Sequence, residues 1–293
     1  MSTSTQTRGG QPSAPPKSKI KLKKKSNALF NISLGVLGAI VLAAVFAPWV
    51  APYDPNAIDL FNVLTGPTPA HWLGTDAAGR DTLSRLIYGA RTSLLGPLIV
   101  VIGSTVLGIL LGLVAGWFGG TIDAVLSRIF DLIFAFPSLL LAMLAVTLFG
   151  KGLTAPVVAM TIAYTPYVAR LVRQLIAAEK AKPYVTAYGV QGFSTPWVAF
   201  GRVLPNVIPT VGAQSALNFG YVLSELAALS FLGLGVQPPQ SDWGSMINES
   251  AGGLMSGQLL PAILPSVAVV IVVVAVNIFG EELSDRIGGK LPS

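Results

Sequence analysis

Cysteine is absent from the 293 residues of this chain, and histidine occurs once, at position 71. The missing thiols exclude disulfides, thiolate metal sites and cysteine nucleophiles, and a single imidazole is too few for a histidine-built metal site. Charge is also scarce, because Asp, Glu, Lys and Arg make up 11% of the residues, whereas a soluble domain carries about 25%. With 52% hydrophobic residues and a mean hydropathy of +0.67, the composition predicts an integral membrane protein.

Motifs for ATP binding and for hydrolysis are missing as well. The chain has no G-x-x-x-x-G-K-[ST] phosphate-binding loop, since Gly288-Gly289-Lys290-Leu291 lacks the leading glycine spacing and the hydroxyl residue. It also has no H-E-x-x-H and no G-x-S-x-G motif, which disfavours an intramembrane hydrolase. We therefore expect no catalytic residue, metal or cofactor on this chain, so that partner subunits must supply any ATP hydrolysis.

Six apolar stretches are long enough to cross a bilayer, which takes about 20 helical residues. They cover about residues 28–50, 94–117, 122–149, 156–178, 207–235 and 260–280. If the N-terminus lies inside, fifteen Lys and Arg residues fall on the inner side and four on the outer side. Because basic residues favour the cytoplasm, the sequence predicts an all-α membrane protein with six transmembrane helices and both termini inside.

The predicted domain boundaries follow from this layout. Residues 1–26 form a basic cytoplasmic tail that we expect to be disordered, and its lysines account for much of the net charge of +6 without a nucleic-acid partner. Residues 27–285 form the six-span domain, with an external segment at 71–93 and a cytoplasmic loop at 179–206. Residues 286–293 form a second cytoplasmic tail.

Rows of small residues and two prolines predict how the helices pack. Gly108, Gly112 and Gly116 recur every four residues in the second span, which allows another helix to approach closely in lipid. A similar row in the fifth span consists of Gly212, Ala216, Gly220, Ser224 and Ala228. Contact within the chain and contact with a second subunit both explain such rows. Pro137 and Pro166 remove helical hydrogen bonds and should bend the third and fourth spans.

Arg128 and Asp131 in the third predicted span and Glu225 in the fifth are charged, and a charge costs about 2.5–3.5 kcal/mol at the centre of a membrane helix. Arg128 and Asp131 are three residues apart, so we expect them to pair with each other near the inner interface. Glu225 has no obvious partner in the sequence. Lining of a solute path and pairing with a second subunit both remain open for it.

The cytoplasmic loop has a helical pattern. Val185, Tyr188, Val190 and Phe193 recur at nearly helical spacing, which predicts a short helix below the membrane. Gly192 lies within this segment, where a glycine either lets a partner approach closely or allows a turn with positive φ. A short helix in this position is suited to docking on another protein.

The external segment carries acid–base pairs. Thr75 or Asp76 can cap the start of a helix, and Asp76/Arg80 and Asp81/Arg85 are then pairs four residues apart. The apolar face of this helix consists of Leu83, Leu86, Ile87 and Ala90. Such a face predicts a helix that lies along the outer membrane interface.

Three strings of the sequence resemble those of one family. Residues 74–94 follow the pattern G-T-D-x-x-G-R-D-x-x-S-R-x-x-Y-G-A-R-x-S-L. This pattern marks the second permease subunit of bacterial dipeptide and oligopeptide ABC importers, a family that includes nickel and glutathione permeases. The strings from Gly116 to Ser138 and from Leu229 to Met246 resemble the same family. Its external signature here consists of Gly74, Thr75, Asp76, Gly79, Arg80 and Asp81.

The resemblance implies a type I ABC importer permease whose cytoplasmic loop contains the coupling helix for an ATPase. The family's motif in this loop is E-A-A-x3-G-x9-I-x-L-P. The matching positions are Thr186 for the acid, Ala187 and Tyr188 for the alanines, Gly192 for the glycine, and Leu204 and Pro205 for the end. Thr186 and Tyr188 depart from the pattern, and Arg202 stands where isoleucine is usual.

The resemblance also implies the partners and the location of the protein. A homologous permease subunit, two cytoplasmic ATPase subunits that bind ATP and Mg²⁺, an external solute-binding protein and membrane lipid would surround it in the bacterial cytoplasmic membrane. The expected cargo is a di- or oligopeptide, with nickel, glutathione and haem as alternatives for the same kind of complex. A secondary transporter driven by an ion gradient is the alternative from another class.

Overall fold

Helices form nearly all of the secondary structure. The computed structural model describes residues 27–255 and 257–288, so the predicted disordered tail at 1–26 and residues 289–293 of the second tail lie outside it. The helices are α1 (Asn27–Val45), α2 (Ala47–Val50), α3 (Thr82–Phe118), α4 (Gly120–Phe134), α5 (Ser138–Phe149), α6 (Thr154–Lys180), α7 (Pro183–Val190), α8 (Thr195–Val198), α9 (Leu204–Phe231), α10 (Trp243–Glu249), α11 (Ala251–Met255) and α12 (Leu260–Gly288). A π-helical turn, Ala199–Val203, joins α8 to α9. The all-α prediction is confirmed.

Four helices within the described ranges are long and apolar enough to cross a membrane, namely α1, α3, α6 and α12. The pair α4 and α5 adds a fifth candidate as one bent span. α9 has 28 residues, or about 42 Å at 1.5 Å per residue, but Gln214, Asn218 and Glu225 lie along it, and it is not among the helices apolar enough to be a candidate span. The count of six crossings and the inside location of both termini stay predictions, with α9 as the sixth helix of sufficient length.

The third predicted span is broken in the middle. α4 ends at Phe134, α5 begins at Ser138, and the two helices meet at 77°. Pro137 lies directly before α5 with φ −58° and ψ 135°, an extended conformation in which the helix cannot continue. The bend expected at Pro137 is therefore a complete break, whereas α6 continues through Pro166.

The glycine row of the second span is a contact between two helices of this chain. A Cβ on Gly108 would lie 2.5 Å from the Val168 Cβ, and one on Gly112 would lie 2.5 Å from the Ala169 carbonyl oxygen. Gly116 approaches the Arg173 backbone in the same way. α3 and α6 can pack this closely because glycine has no side chain.

The corresponding row on α9 is used only in part. A Cβ on Gly220 would lie 3.0 Å from the Asn277 side chain of α12, whereas one on Gly212 would have nothing within 4 Å. Ser224 and Ala228 are exposed. One face of α9 therefore remains uncovered in the single chain, as contact with a second subunit would require.

The loops gather at two ends of the helix bundle. At one end, Arg80 and Arg85 pair with Glu249, which joins the loop before α3 to α10. At the other end, Lys180 Nζ donates to the Trp117 carbonyl, which joins the end of α6 to the end of α3. The 37 residues of α3 separate these ends by about 55 Å. We refer to them below as the signature end and the coupling end.

The predicted helix along the outer interface does not form a separate element. α3 begins at Thr82 and runs without a break to Phe118, so the expected interfacial residues belong to the first turns of a long helix. Ala90 is buried and Leu86 packs in one core cluster with residues of α1, α9, α10 and α12. The prediction of a helix on the membrane surface was wrong, because other helices cover this apolar face.

Candidate functional site

The predicted coupling residues lie at the coupling end, between α7 and the start of α9. Thr186, Ala187 and Tyr188 lie on α7, Gly192 follows that helix, and Leu204 and Pro205 begin α9. The expected short helix is thus a pair of helices, α7 and α8, separated by a turn. Gly192 adopts φ +83°, and a Cβ at this position would have nothing within 4 Å. Positive φ, rather than close approach within the chain, is the reason for glycine here.

An aromatic cluster holds this pair of helices together. The Tyr188 ring lies 5.4 Å from Phe193 and 5.6 Å from Trp197, and the Phe193 and Trp197 rings stack at 4.5 Å. The Arg202 guanidinium lies over Trp197 at 4.8 Å and over Tyr188 at 5.6 Å, within the range of a cation–π contact. Two departures from the family motif, Tyr188 and Arg202, therefore contact each other.

A buried carboxylate fixes the base of the same loop. Glu179, at the end of α6, accepts hydrogen bonds from the Tyr184 hydroxyl at 2.8 Å and from Asn206 Nδ2 at 3.0 Å, and it pairs with Lys182. It thereby connects α6, α7 and α9. Burial and the neighbouring Glu179 raise the pKa of Tyr184 to about 12, so this hydroxyl remains a hydrogen-bond donor at neutral pH.

The outer side of the loop is open and partly apolar. Thr186 and Ala187 are exposed, and the Val190 side chain is 85% exposed. Other large apolar side chains exposed in this segment are those of Phe193, Trp197 and Phe200. Several exposed apolar groups on a rigidly held loop are typical of a surface that binds another protein.

The external signature forms a buried charge network at the opposite end. Arg85 is 1% exposed and pairs with Asp76 and with Glu249, whose Oε2 lies 2.8 Å from the Arg85 Nη1. Arg80 Nε donates to Asp76 Oδ2 at 2.8 Å, and its Nη2 pairs with Glu249. Two guanidinium groups thus face two carboxylates away from water, where each charge depends on its partners.

Asp81 caps α3 and does not pair with Arg85, contrary to the sequence prediction. Its Oδ2 accepts from the Ser84 N–H at 2.8 Å and from the Ser84 hydroxyl at 2.7 Å. Its Oδ1 lies 2.9 Å from His71 Nδ1. Because the carboxylate satisfies the open backbone N–H of the first turn, the helix starts at Thr82. The predicted pair Asp76/Arg80 is confirmed.

The remaining signature residues are Gly74, Thr75 and Gly79. Both glycines have φ +75°, and a Cβ on Gly79 would lie 1.8 Å from the Asp59 carbonyl oxygen. The Thr75 hydroxyl accepts from the Thr65 N–H at 2.9 Å. The sequence predicted that Thr75 or Asp76 would cap a helix, but neither does, because this segment is a folded loop that precedes α3.

Three residues of the signature end were not predicted, because they come from a distant part of the chain. Glu249 lies 164 positions after Arg85. Asp242 caps α10 and accepts from the Ser93 hydroxyl at 2.7 Å, and burial raises the pKa of its carboxyl. Trp243 Nε1 donates to the backbone of α3 at 3.0 Å. The string around Trp243 supported the resemblance, but no sequence pattern indicated which residues it contacts.

The charges predicted inside the third span pair with another helix. Asp131 pairs with Arg170 and Asp123 pairs with Arg173, so two ion pairs connect α4 to α6. The predicted pair between Arg128 and Asp131 was wrong, because Arg170 of α6 pairs with Asp131 instead. Arg128 is exposed.

Glu225 lies beside the break between α4 and α5. Its two carboxylate oxygens accept from the Ser138 hydroxyl at 2.8 and 2.9 Å. Among the described residues it forms no ion pair. The sequence had suggested no partner for Glu225, and the structure supplies a neutral one.

Two family descriptions match this chain. Residues 108–289 match "Binding-protein-dependent transport system inner membrane component", and residues 23–67 match "N-terminal TM domain of oligopeptide transport permease C". The chain belongs to this permease family. It is a multi-pass protein of the bacterial inner membrane and a permease subunit of an ABC importer. Residues 183–205 and Glu225 lie within the longer match.

Full-length relatives are permeases of the same family. The chain is 42% identical over 258 residues to "Di/tripeptide transport system permease protein DppC" of Pseudomonas aeruginosa, covering 86% of this chain and 85% of that protein. It is 36% identical over 269 residues to "Dipeptide transport system permease protein DppC" of Alkalihalophilus pseudofirmus, covering 92% and 88%. It is 34% identical over 261 residues to "Nickel transport system permease protein NikC" of Escherichia coli, covering 89% and 94%.

A solved permease structure has the same fold. The structure described as "Inward facing conformations of the MetNI methionine ABC transporter: CY5 SeMet soak crystal form" matches with a TM-score of 0.57 at 17% identity, covering 69% of this chain and 96% of that chain. The ABC-permease architecture predicted from the sequence is confirmed at the level of the fold.

Proposed function

We propose that this permease imports di- and oligopeptides delivered by an external solute-binding protein. The observation that carries the proposal is the 42% identity to a di/tripeptide permease over 86% of the chain. Relatives named for glutathione and nickel transport are 36% and 34% identical, so these cargoes, together with haem, are the alternatives. A secondary transporter driven by an ion gradient is no longer an alternative, because the family is binding-protein-dependent.

The proposed complex contains a homologous permease, two cytoplasmic ATPase subunits that bind ATP and Mg²⁺, and the solute-binding protein, with lipid around the helices. This chain would be non-catalytic. The uncovered face of α9, with Gly212, Ser224 and Ala228, supports contact with the second permease. The distribution of fifteen and four basic residues supports six crossings with both termini and the coupling end in the cytoplasm.

We also propose that the coupling loop, defined as residues 183–205, is the docking surface for an ATPase subunit. Its exposed apolar side chains suit a protein partner, and Val190 is the most exposed of them. Glu179 and Lys180 connect the base of the loop to α3, α6, α7 and α9. A loop held this firmly can pass a movement of the ATPase to the membrane helices without deforming.

Growth on single cargoes tests the proposed substrate. A strain that lacks this gene and requires an amino acid is supplied with that amino acid only as a dipeptide, and uptake of glutathione and nickel is measured in parallel. Loss of growth on the dipeptide alone, restored by the wild-type gene, is the expected result. Unchanged growth on the dipeptide with loss of nickel or glutathione uptake would contradict peptide import.

A further inference from the structure

A groove with both aromatic and polar walls lies where α4 and α5 break. It has a volume of about 470 Å³, and its walls come from the break, from α6 and from α9. Tyr164, Tyr167 and Tyr221 line it together with Ser138 and the Asn218 side chain. Aromatic rings beside a few polar groups are typical of a site that binds a small molecule.

Glu225 lies directly behind the Ser138 wall of this groove and brings a negative charge there without a positive one. Its carboxylate accepts from the Ser138 hydroxyl and interacts electrostatically with the Tyr164 phenol. No Lys or Arg of the described ranges pairs with it. Because a charge in a membrane helix is stabilised by an opposite charge, this wall of the groove is suited to receive a cation.

Asn218 supplies a hydrogen-bond donor without an acceptor in the described part of the chain. The residue is 3% exposed, and its Nδ2 has no acceptor among the described residues. Its Oδ1 accepts from Gln214 at 3.5 Å, which leaves the N–H groups available. Buried donors are nearly always satisfied in folded proteins, so an unsatisfied donor in the wall of a groove indicates a place for an acceptor atom.

The spacing of these two groups fits a short peptide. Asn218 and Glu225 are seven residues apart on α9, which places them on one face and about 10 Å apart along the helix axis. Two or three extended residues cover a similar length at about 3.3–3.6 Å per residue. The carboxylate at one end and the amide donor at the other complement the ammonium and the carbonyl or carboxylate groups of such a molecule.

We propose that the groove contacts short peptides during transport, with the peptide ammonium at Glu225 and a carbonyl or carboxylate oxygen at Asn218 Nδ2. Tyr164 and Tyr221 provide rings for cation–π contact with the ammonium. This inference rests on peptide import as proposed above and assigns residues to the path. The competing occupant of the Glu225 site is a cationic side chain of the homologous permease.

Equilibrium binding tests this assignment. A radiolabelled dipeptide is bound to the purified permease–ATPase complex without solute-binding protein. The unlabelled dipeptide and its N-acetylated form are then compared, in separate samples, as competitors for the labelled one. The wild type should prefer the free dipeptide by about tenfold or more, the equivalent of one charge-assisted hydrogen bond. Glu225→Gln should abolish this preference. Asn218→Leu should weaken the binding of both ligands but leave the preference for the free dipeptide unchanged. Ile208→Val, a conservative change at an exposed position of the same helix, should alter neither.

The outcomes separate the site from the cargo. A Glu225→Gln complex that still prefers the free dipeptide would overturn the groove assignment. Dissociation of the two permeases in this variant would also overturn it, because Glu225 would then pair with the other subunit. Uptake of the same dipeptide by wild-type proteoliposomes, with the solute-binding protein present, is measured in parallel. If that uptake is absent, the proposed cargo is wrong and the groove assignment falls with it.

Discussion

The two ends of the helix bundle use charge in opposite ways. At the signature end, Asp76, Arg80, Arg85 and Glu249 neutralise one another away from water. At the coupling end, the Arg202 guanidinium lies over aromatic rings of an exposed loop. A buried network fixes one structure, because removing one partner leaves an unpaired charge. An exposed loop with a fixed base can present a surface to another protein. We infer that the signature end stabilises the fold, whereas the coupling end presents a surface for the ATPase.

Arg85→Ala should cause the largest loss of stability. It leaves Asp76 and Glu249 without their most buried partner, and breaking such a network costs about 3–5 kcal/mol. Thermal unfolding of the purified protein in detergent measures the effect. Arg91→Ala is the matched control, since Arg91 is an exposed arginine on the same helix and its loss should cost at most about 0.5 kcal/mol. Equal melting temperatures for the two variants would refute a structural role for the network.

Gly79→Ala should cost less than Arg85→Ala, but still about 1–3 kcal/mol as local backbone strain. A Cβ at this position would meet the Asp59 carbonyl oxygen at 1.8 Å, so the loop before α3 must move. The same thermal unfolding measurement applies. A variant that melts like the wild type would show that this loop adapts and is not fixed by the buried network.

Gly192→Ala should have a smaller effect, about 1 kcal/mol, because only the positive φ opposes the new side chain and the space around it is open. Gly192→Asn should be nearly neutral, since asparagine tolerates this conformation.

Gly192→Arg should keep the complex assembled and abolish substrate-stimulated ATP hydrolysis and uptake. Gln191→Arg, an equally large change at an exposed neighbour, should be milder. Full coupling in Gly192→Arg would place the ATPase contact elsewhere.

Sequence patterns predicted the helices and much of the packing because these depend on local features. Apolar runs long enough to span lipid produced long helices, although the second began earlier than expected and the third was broken. The glycines at positions 108, 112 and 116 allow the close contact between α3 and α6. Pro137 produced the break between α4 and α5. These features need only the chain's own periodicity and the geometry of proline and glycine.

Pairings between distant residues could not be predicted in the same way. Spacing of three or four residues suggested Arg128/Asp131 and Asp81/Arg85, yet these acids bind Arg170 and cap α3, respectively. A local rule identifies residues that can meet on one helix, but Arg170 of another helix pairs with Asp131, and Ser84 in the first turn of α3 donates to Asp81. The wrong pairing of Arg128 with Asp131 therefore reflects a contact from another helix, whereas Asp81 is taken up by the cap of its own helix.

Val190→Asp should have almost no effect on stability, because the side chain it replaces is 85% exposed. It should nevertheless reduce substrate-stimulated ATP hydrolysis severely, since a carboxylate would enter an apolar contact with the ATPase. Hydrolysis and melting temperature are measured on the same preparation. A loss of both together would indicate a misfolded loop rather than a lost contact, and a loss of neither would exclude Val190 from the interface.

Because the chain has no cysteine, single cysteines at exposed positions can report sidedness with almost no expected effect on stability. Ala70→Cys and Gln240→Cys, at exposed positions of the signature end, should react with an impermeant thiol reagent in intact cells. Ser194→Cys and Ser284→Cys should not react. Gln240 is preferable to its neighbour Ser241, which is buried and accepts from Arg85. External labelling of Ser194→Cys would contradict the proposed topology.

Cross-linking from position 190 tests the central claim that the coupling loop contacts the ATPase. Val190→Cys carries a thiol-reactive photo-cross-linker in the purified complex, and Gln240→Cys at the opposite end serves as the control. We predict a covalent adduct between the Val190→Cys permease and an ATPase subunit, with a yield that changes when ATP is bound. An adduct of equal yield from Gln240→Cys, or none from Val190→Cys in an assembled complex, would contradict the account.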